Sequence, residues 1–585
     1  MAVRRALVGL IVVLVAAGLG MLLLRVLAPG GWTLAKLMML LAFAGTAPWT
    51  GLCVANGVAG FLILVFGGDA APSPPSVRFA AQPPAARERE IEREWGRGVL
   101  PHTAIALTIR NEDMGAVLPP LGQLLRDLDH SGVGHAFAVF VLSDTQDPVT
   151  AAAEERAVAA FRAADTTPAR IHYRRRTAND GFKAGNIMDF LDHHAEGFEL
   201  VLTLDADSAM SADAVMRLVR AMLADPMLGI VQHLTVGRPA SSAFPRLFQF
   251  GMRAGMRSWA TGQDWWQGDE GPYWGHNALI RIAAFRAHCR LPLLPGGRQI
   301  LSHDQVEAVM LRAAGWGVRV LPEESGSSEI NPPALPEFLR REVRWLAGNL
   351  QYRHLLRLPG LRPMGRWQLL QAILLFVGTP LYLLFLLAAA AAAATDAASP
   401  FPAGPAFALT AAWLGALYAP KLLGYAEVVL SPAKRASYGG LGRFVVGALA
   451  EIGFTLLLDA VSAVAKTLAM LRLLFGARAD WSPQNRGDRG VGWGEATRLF
   501  WPQTALGVVV FVAFASAGWT AMLWALPLAG GLLVAIPLCV VTAHPRVGDW
   551  LRRHKVAAIP EEIVGGAYSE MLAPVLVLRP QGEPD

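Results

Sequence analysis

The sequence predicts an α/β domain with a largely parallel sheet, inserted between two groups of membrane-spanning helices. Three observations carry that prediction. Apolar runs long enough to cross a bilayer, ~20 residues, crowd roughly the first seventy residues and the region after about 368. Between them, strand-like and helix-like runs alternate in a stretch of ordinary composition. Several of those strand-like runs end in carboxylates, most plainly "ELVLTLDADSAM" at 199–210.

Composition comes first. Of 585 residues, 53% are hydrophobic and only 17% charged, where a soluble chain carries about 25%. Cys53, Cys289 and Cys539 are scattered, which excludes a disulfide framework or a zinc site. The N-terminal "MAVRRALVGLIVVLVAAGLGMLLLRVL" has an apolar core of about nineteen residues, longer than a leader's, and a second apolar segment follows it. It is expected to be a retained span.

The expected spans are 5–27, 46–67, 368–394, 406–430, 503–522 and 524–543, with a longer apolar stretch at 442–476. Excess Lys and Arg mark the cytoplasmic side. Arg4 and Arg5 place the N-terminus inside, so two crossings return the chain to the cytoplasm. The loop 395–405 has no basic residue and belongs outside. Loop 431–443, with Lys434, Arg435 and Arg443, belongs inside, as does 477–500 with Arg478, Arg486, Arg489 and Arg498. The stretch 442–476 must therefore begin and end on one face, as a hairpin of two short spans or a helix lying in the interface. Asp459 and Lys466 within it are costly in lipid. The hairpin is the favoured reading and gives eight spans. The tail, 544–585, opens with Arg546, Arg552, Arg553 and Lys555 and is expected inside.

A Pro- and Ala-rich linker, 68–98, leads into a soluble domain over 99–367. There "TAIALTIR" (103–110) precedes a helix near 115–128, and "AFAVFVLS" (136–143) one near 150–164. "RIHYRRR" precedes a helix at about 184–194, and "ELVLTLD" one near 212–224, before "GIVQHLTV". In such sheets ligands bind beyond the carboxyl ends of the strands.

Those ends carry Glu112 and Asp113, Asp144, and Asp205 with Asp207. In extended chain, residues i and i+2 point the same way, ~6.5–7 Å apart. Asp205 and Asp207 then face one site, where a divalent cation relieves their repulsion; Mg²⁺ typically combines one or two carboxylates with phosphates. The plainer alternative is strand-end capping. Lys183 opens the helix "AGNIMDFL", so its cation and the free N–H groups both favour a phosphate, unless it is an ordinary surface lysine. Arg174 to Arg176 add positive potential or form a solvated run. "SHDQ" (302–305) reads as a capping box, which puts Asp304 at the second or third helical position, rigid and dipole-stabilised. Trp345 precedes a span and reads equally as an interfacial anchor.

The order Asp144, "KAGN" from Lys183, "DAD" at 205–207, "SHD" at 302–304 and "REVRW" at 341–345, flanked by spans, resembles the processive family 2 glycosyltransferases of the cellulose and hyaluronan synthase group. "FVLSDTQDP", "YRRRTANDGFKAGNI", "GPYWGHNALIR", "ILSHDQVEAVMLRAAGWGV", "RWLAGNL", "APKLLGY" and "WSPQNR" are most similar to the branch that makes osmoregulated periplasmic glucans, over about 100–555. The resemblance implies a cytoplasmic GT-A-like, Rossmann-like domain. It implies that Asp144, Lys183, Asp205, Glu112 and Arg344 hold the nucleotide diphosphate, and that Asp205 and Asp207 ligate Mg²⁺ or Mn²⁺. Asp304 would be the general base, and Trp345 a platform for the acceptor. Sugar C–H faces stack on aromatic rings, so Tyr273 and Trp274, with His276 and Asn277, are acceptor candidates. Trp481 and Gln484 would sit in a gating loop. Arg341 stands where the wider family has Gln, and Thr108 and Arg110 where a Pro and an aromatic often precede Asn-Glu.

The activity so implied is inverting, processive transfer from UDP-glucose to a growing glucan, β-1,2-linked and delivered across the bacterial inner membrane. The lipid bilayer is a partner, an acyl carrier protein and periplasmic glucan-processing proteins are partners by resemblance alone, and nucleic acid is not. The rivals are another processive β-glycan synthase, a transferase onto a lipid carrier, and a transporter or nucleotide sensor with a degenerate transferase domain. The intact acids speak against the last.

Overall fold

The computed structural model describes residues 1–67, 100–395, 402–477, 487 and 489–564, so the linker expected over 68–98 lies outside it. Two helices come first, α1 Ala2–Leu27 and α2 Leu34–Phe66. The α/β part follows: β1 Thr103–Ile109, α3 Met114–His130, β2 Phe137–Ser143, α4 Pro148–Ala164, β3 Ile171–Arg175, α5 Phe182–His193, β4 Leu200–Asp205, β5 Ala209–Met210, α6 Ala212–Ala224, β6 Leu228–His233 and β7 Val236–Gly237. Then come α7 Ala243–Gln267, β8 Ala278–Arg281, α8 Ile282–His288, α9 Asp304–Ala313, β9 Gly317–Leu321, β10 Ser327–Glu329 and α10 Leu335–Gln351.

The main sheet runs β3-β2-β1-β4-β8-β6-β9, and a small one β5-β10-β7. The neighbours β3, β2, β1 and β4 pair in parallel, as expected. β8 is antiparallel to both β4 and β6, so the sheet is mixed. Alternate residues of β1 serve opposite cores. Ile105, Leu107 and Ile109 pack with α3 and α6, while Ala104 and Ala106 pack with α5 and α9. A strand covered on both faces reads as a continuous apolar run, and each fully buried Leu or Ile contributes ~1.5–3 kcal/mol. Asp113 is a helix cap: its side chain accepts from the Gly115 N–H at 2.9 Å. Asp147 and Ser211 cap α4 and α6 in the same way.

The membrane part consists of α1 and α2 with α11 Pro363–Thr395, α12 Ala403–Leu417, α13 Ala419–Leu430, α14 Pro432–Ser437, α15 Leu441–Leu474, α16 Trp493–Ser516, α17 Trp519–Leu533 and α18 Ala535–Ala543. The chain closes with α19 Pro545–Arg553 and α20 Pro560–Val564. Among the described residues five helices are long and apolar enough to cross a membrane, or up to seven if two bent pairs each count as one.

Several expected boundaries are corrected. α2 begins at Leu34, not 46, because Thr33 caps it and the Lys36 ammonium is satisfied by the carbonyls of Pro29 and Gly31 at 2.6 and 3.0 Å. The span expected at 406–430 breaks after Leu417 and turns by 72° where Pro420 restarts the helix. α16 ends at Ser516, before Gly518 at φ 105, rather than at 522. α17 and α18 are bent by 60°.

The largest correction concerns 442–476. No hairpin forms there: α15 is continuous over 34 residues. It contacts helices of the α/β part along its length. The Phe454 ring lies 5.3 Å from Phe244 of α7, and the Lys466 ammonium 3.2 Å from Glu342 of α10. The polar residues that were costly for a span are paired here.

α7 docks the α/β part onto α2. A Cβ at Gly60 would fall 1.9 Å from the Ser258 carbonyl oxygen, and one at Gly262 would fall 2.1 Å from that of Asn56. The two backbones therefore touch, and the Trp266 indole donates to Asn56 Oδ1 at 2.8 Å. Gly60→Leu or Gly262→Leu is expected to cost ~1–3 kcal/mol by overpacking, read as a lower melting temperature in detergent. Gly9→Leu, where nothing lies within 4 Å, should leave it unchanged.

Candidate active site

The end of β2 is built by an acid that sequence reading missed. Glu154 of α4, 1% exposed, accepts from Ser143 Oγ at 2.7 Å, Thr145 Oγ1 at 2.6 Å and the Tyr173 hydroxyl at 3.3 Å. Thr145 Oγ1 also accepts the Asn111 N–H at 2.8 Å, joining the ends of β1 and β2. Asp144, buried between them, is clamped by Arg176, with Nε to Oδ1 at 2.8 Å and Nη2 to Oδ2 at 2.9 Å. Arg176 also donates to the carbonyls of Asp180 and Phe182. The basic run is thus specific, and it ties Asp144 to the loop before Lys183. Glu112 lies half-buried beyond β1.

Lys183, in the first turn of α5, reaches across to β4. Its ammonium pairs with the Asp205 carboxylate and donates to the Gly275 carbonyl at 2.8 Å. Thr108 Oγ1 donates to the Leu204 carbonyl at 3.3 Å and the Asp205 carboxylate at 3.4 Å. β4 stops at Asp205, and Asp207 lies in the turn that follows. The extended-chain geometry expected for the acidic pair is therefore absent, since the Asp205 N–H turns back to Ser208 Oγ at 3.1 Å. Both acids remain half-buried.

Gly275 is the meeting point. With φ 88 it takes a conformation that glycine tolerates best, and a Cβ added there would lie 3.5 Å from Asp304 Cβ. Asp304 is the first residue of α9, not the second or third, and His303 is the cap without a side-chain bond. The expected capping box does not form. The Ser302 carbonyl accepts from the Tyr352 hydroxyl at 3.0 Å, and His303 Nδ1 contacts Glu307 at 2.9 Å instead. Burial disfavours a charged His303, but Glu307 and Asp304 outweigh it and raise the pKa.

Of the aromatic loop before β8, Tyr273 and Asn277 are buried and do not face an acceptor. The Tyr273 hydroxyl meets Thr203 Oγ1 at 3.3 Å, and Asn277 donates to Ser327 Oγ at 2.9 Å. They hold the loop in place. Trp274 and His276 are half-buried, and His276 Nε2 stands 3.5 Å from Glu329. Glu329 is a second acid that no motif announced, on a three-residue strand. Burial raises its pKa, as do the charges of Asp207 and Asp205, against His276 and Arg341. α10 brings Arg341, Arg344 and the exposed Trp345. Trp481 and Gln484 lie outside the described residues.

Asp205 and Asp207 offer hard oxygen donors, and no third ligand completes a protein-only metal group among the described residues. That donor set fits a divalent cation completed by substrate phosphate and water. Behind α10, a cavity of about 190 Å³ opens among the membrane helices, lined by Trp49, Tyr382, Trp413, Tyr418, Asp459 and Lys466 among others.

Comparisons with known proteins identify the family. The family described as "Glycosyl transferase family group 2" matches residues 200–420. The glucans biosynthesis glucosyltransferase H of Xylella fastidiosa is 32% identical over 96% of this chain and 88% of its own. The protein of that name from Bradyrhizobium diazoefficiens is 34% identical, over 96% and 77%, and that from Vibrio cholerae 32%, over 95% and 76%. Among solved structures, the mannosyltransferase PcManGT from Pyrobaculum calidifontis, in complex with GDP-Man and Mn²⁺, aligns over 64% of this chain and 99% of its own at 15% identity; its TM-score of 0.39 is too low to weigh. The mixed sheet with its acidic strand end lies in a glycosyltransferase domain, and the chain belongs to the glucans biosynthesis glucosyltransferase H family.

Proposed function

We propose that this glucosyltransferase takes glucose from UDP-glucose, inverts the anomeric configuration, and extends a β-1,2-linked glucan that it delivers across the bacterial inner membrane. One observation carries the reading. Lys183 binds Asp205 and the Gly275 carbonyl, and Asp304 packs on Gly275, so nucleotide-side acids and base share one cleft.

The chemistry follows from that placement. UDP enters over the ends of β1, β2 and β4, where Asp144 and Glu112 lie toward base and ribose. Lys183, Arg344 and the N-terminus of α5 balance the diphosphate. A divalent cation held by Asp205 and Asp207, when bound, neutralises charge on the leaving phosphates. Asp304 accepts the proton of the acceptor hydroxyl, whose oxygen bonds to the anomeric carbon as the bond to UDP breaks on the opposite face. Trp345, with Trp274 and His276, holds the acceptor.

The membrane half supports delivery. Sugar hydroxyls lose their hydrogen bonds in lipid, and the cavity offers aromatic faces beside Asp459 and Lys466, with Lys466 also paired to Glu342 of α10. Arg4 donates to the Trp265 carbonyl at 2.9 Å and Arg5 pairs with Glu270 at 2.6 Å, which puts the N-terminus on the transferase side. Glu561 and Glu562 near the C-terminus bind Arg253 and Arg246 of α7 on that side as well.

In membranes given labelled UDP-glucose and Mg²⁺, Asp304→Asn should lower glucan synthesis at least ~10²-fold with UDP binding retained, the usual weight of a general base. Equal incorporation removes the assignment, and no incorporation by the unaltered enzyme from any sugar nucleotide removes the function. Gly378→Trp lines the cavity with bulk where no atom lies within 4 Å. It should cut glucan release into the lumen of inverted vesicles about tenfold or more while initial transfer continues. Undiminished release would exclude this route.

A further inference from the structure

α10 carries Phe338, Arg341 and Trp345 at i, i+3 and i+7, one face of a helix. The Arg341 guanidinium lies 4.5 Å over the Trp345 ring and 5.7 Å from the rings of Phe338 and of Phe248 in α7. Arg341 is only 8% exposed, and its Nε makes no hydrogen bond. Trp345, by contrast, is 44% exposed. A buried donor without a partner costs stability, and a Met or Leu would fill the same aromatic pocket without that cost. The cation earns its place through the ring it covers. It covers one face of Trp345 and holds the indole plane against rotation, while the rest of the ring stays exposed.

We propose that Arg341 is a positioning residue for the acceptor: it fixes the plane of Trp345 so that the bound sugar presents one hydroxyl to Asp304. This rests on Trp345 being the acceptor platform. Glu329, with His276 and Arg341 beside it, closes the same wall. A loosely held acceptor lets water take its place, so the donor's glucose is lost as free sugar rather than transferred.

The test partitions label from UDP-glucose, in membranes with Mg²⁺, between glucan and free glucose. Arg341→Gln and Arg341→Met should raise the free-glucose to glucan ratio about tenfold, the scale of a desolvated cation–π contact. The KM for UDP-glucose should stay within about twofold, because the donor side is untouched. Arg341→Lys, which keeps the charge but not the plane, should recover part of the coupling. An unchanged ratio in both neutral variants overturns the proposal. So does a parallel loss of UDP binding in all three, which marks a purely structural role. Failure of the unaltered enzyme to transfer glucose is a different outcome and counts against the proposed function itself.

Discussion

A single ammonium group organises the catalytic half. Lys183 pairs with Asp205 and the Gly275 carbonyl, which are 22 and 92 residues away in the chain. Asp205, Asp207, Glu329 and Asp304 crowd one cleft, and without a cation they would repel. The lysine relieves that repulsion and, by gripping a carbonyl as well, fixes the height of the loop on which Asp304 rests. Arg176 does the same for Asp144, so two basic groups set the positions of the acids at the strand ends. Charge balance here is a structural requirement before it is a catalytic one.

The second constraint is the contact between transferase and membrane helices. α7 lies between them, and its glycine-lined approach to α2 leaves no room for side chains, as bundles with small interfacial residues do. Its arginines, Arg246 and Arg253 buried and Arg257 partly so, are matched: Arg246 to Glu562, Arg253 to Glu324 and Glu561, Arg257 to Glu324 and Glu427. Leaving one such charge unpaired costs ~3–5 kcal/mol. The C-terminal segment is held in place by that requirement, and Glu324 carries it to the loop leading into β10 and Glu329.

Much of this was readable beforehand because it is local. The alternation of β1 to β4 with their helices, and the acids at the strand ends, need only sequence spacing. What failed failed for physical reasons. Asp113 stood among the strand-end acids, and it caps α3 because the Gly115 N–H lies two residues on. Ser302 lost its cap role because α9 starts one residue later, with His303 at the cap position. Tyr273 and Asn277 carried the right chemistry for a sugar but were drawn under the loop by Thr203 and Ser327. The α15 hairpin was inferred from basic loops at both of its ends, which asked for a start and a finish on one face, while the cost of Asp459 and Lys466 is met by Tyr418 and Glu342 as partners.

The choice of Lys183, Asp144, Asp205, Asp207 and Asp304 as site candidates rests on the family resemblance; by itself the sequence determined the division into membrane and transferase parts and the order of the strands along the chain. Those follow from hydropathy, periodicity and residue chemistry, which act over a few residues. Only the tertiary structure decided which acids are clamped, which aromatic residues face the cleft, that Glu329 and Arg341 join it, and that α15 lies against the α/β part. Each of these depends on a partner supplied from elsewhere in the chain. Desolvation makes the presence or absence of that partner decisive.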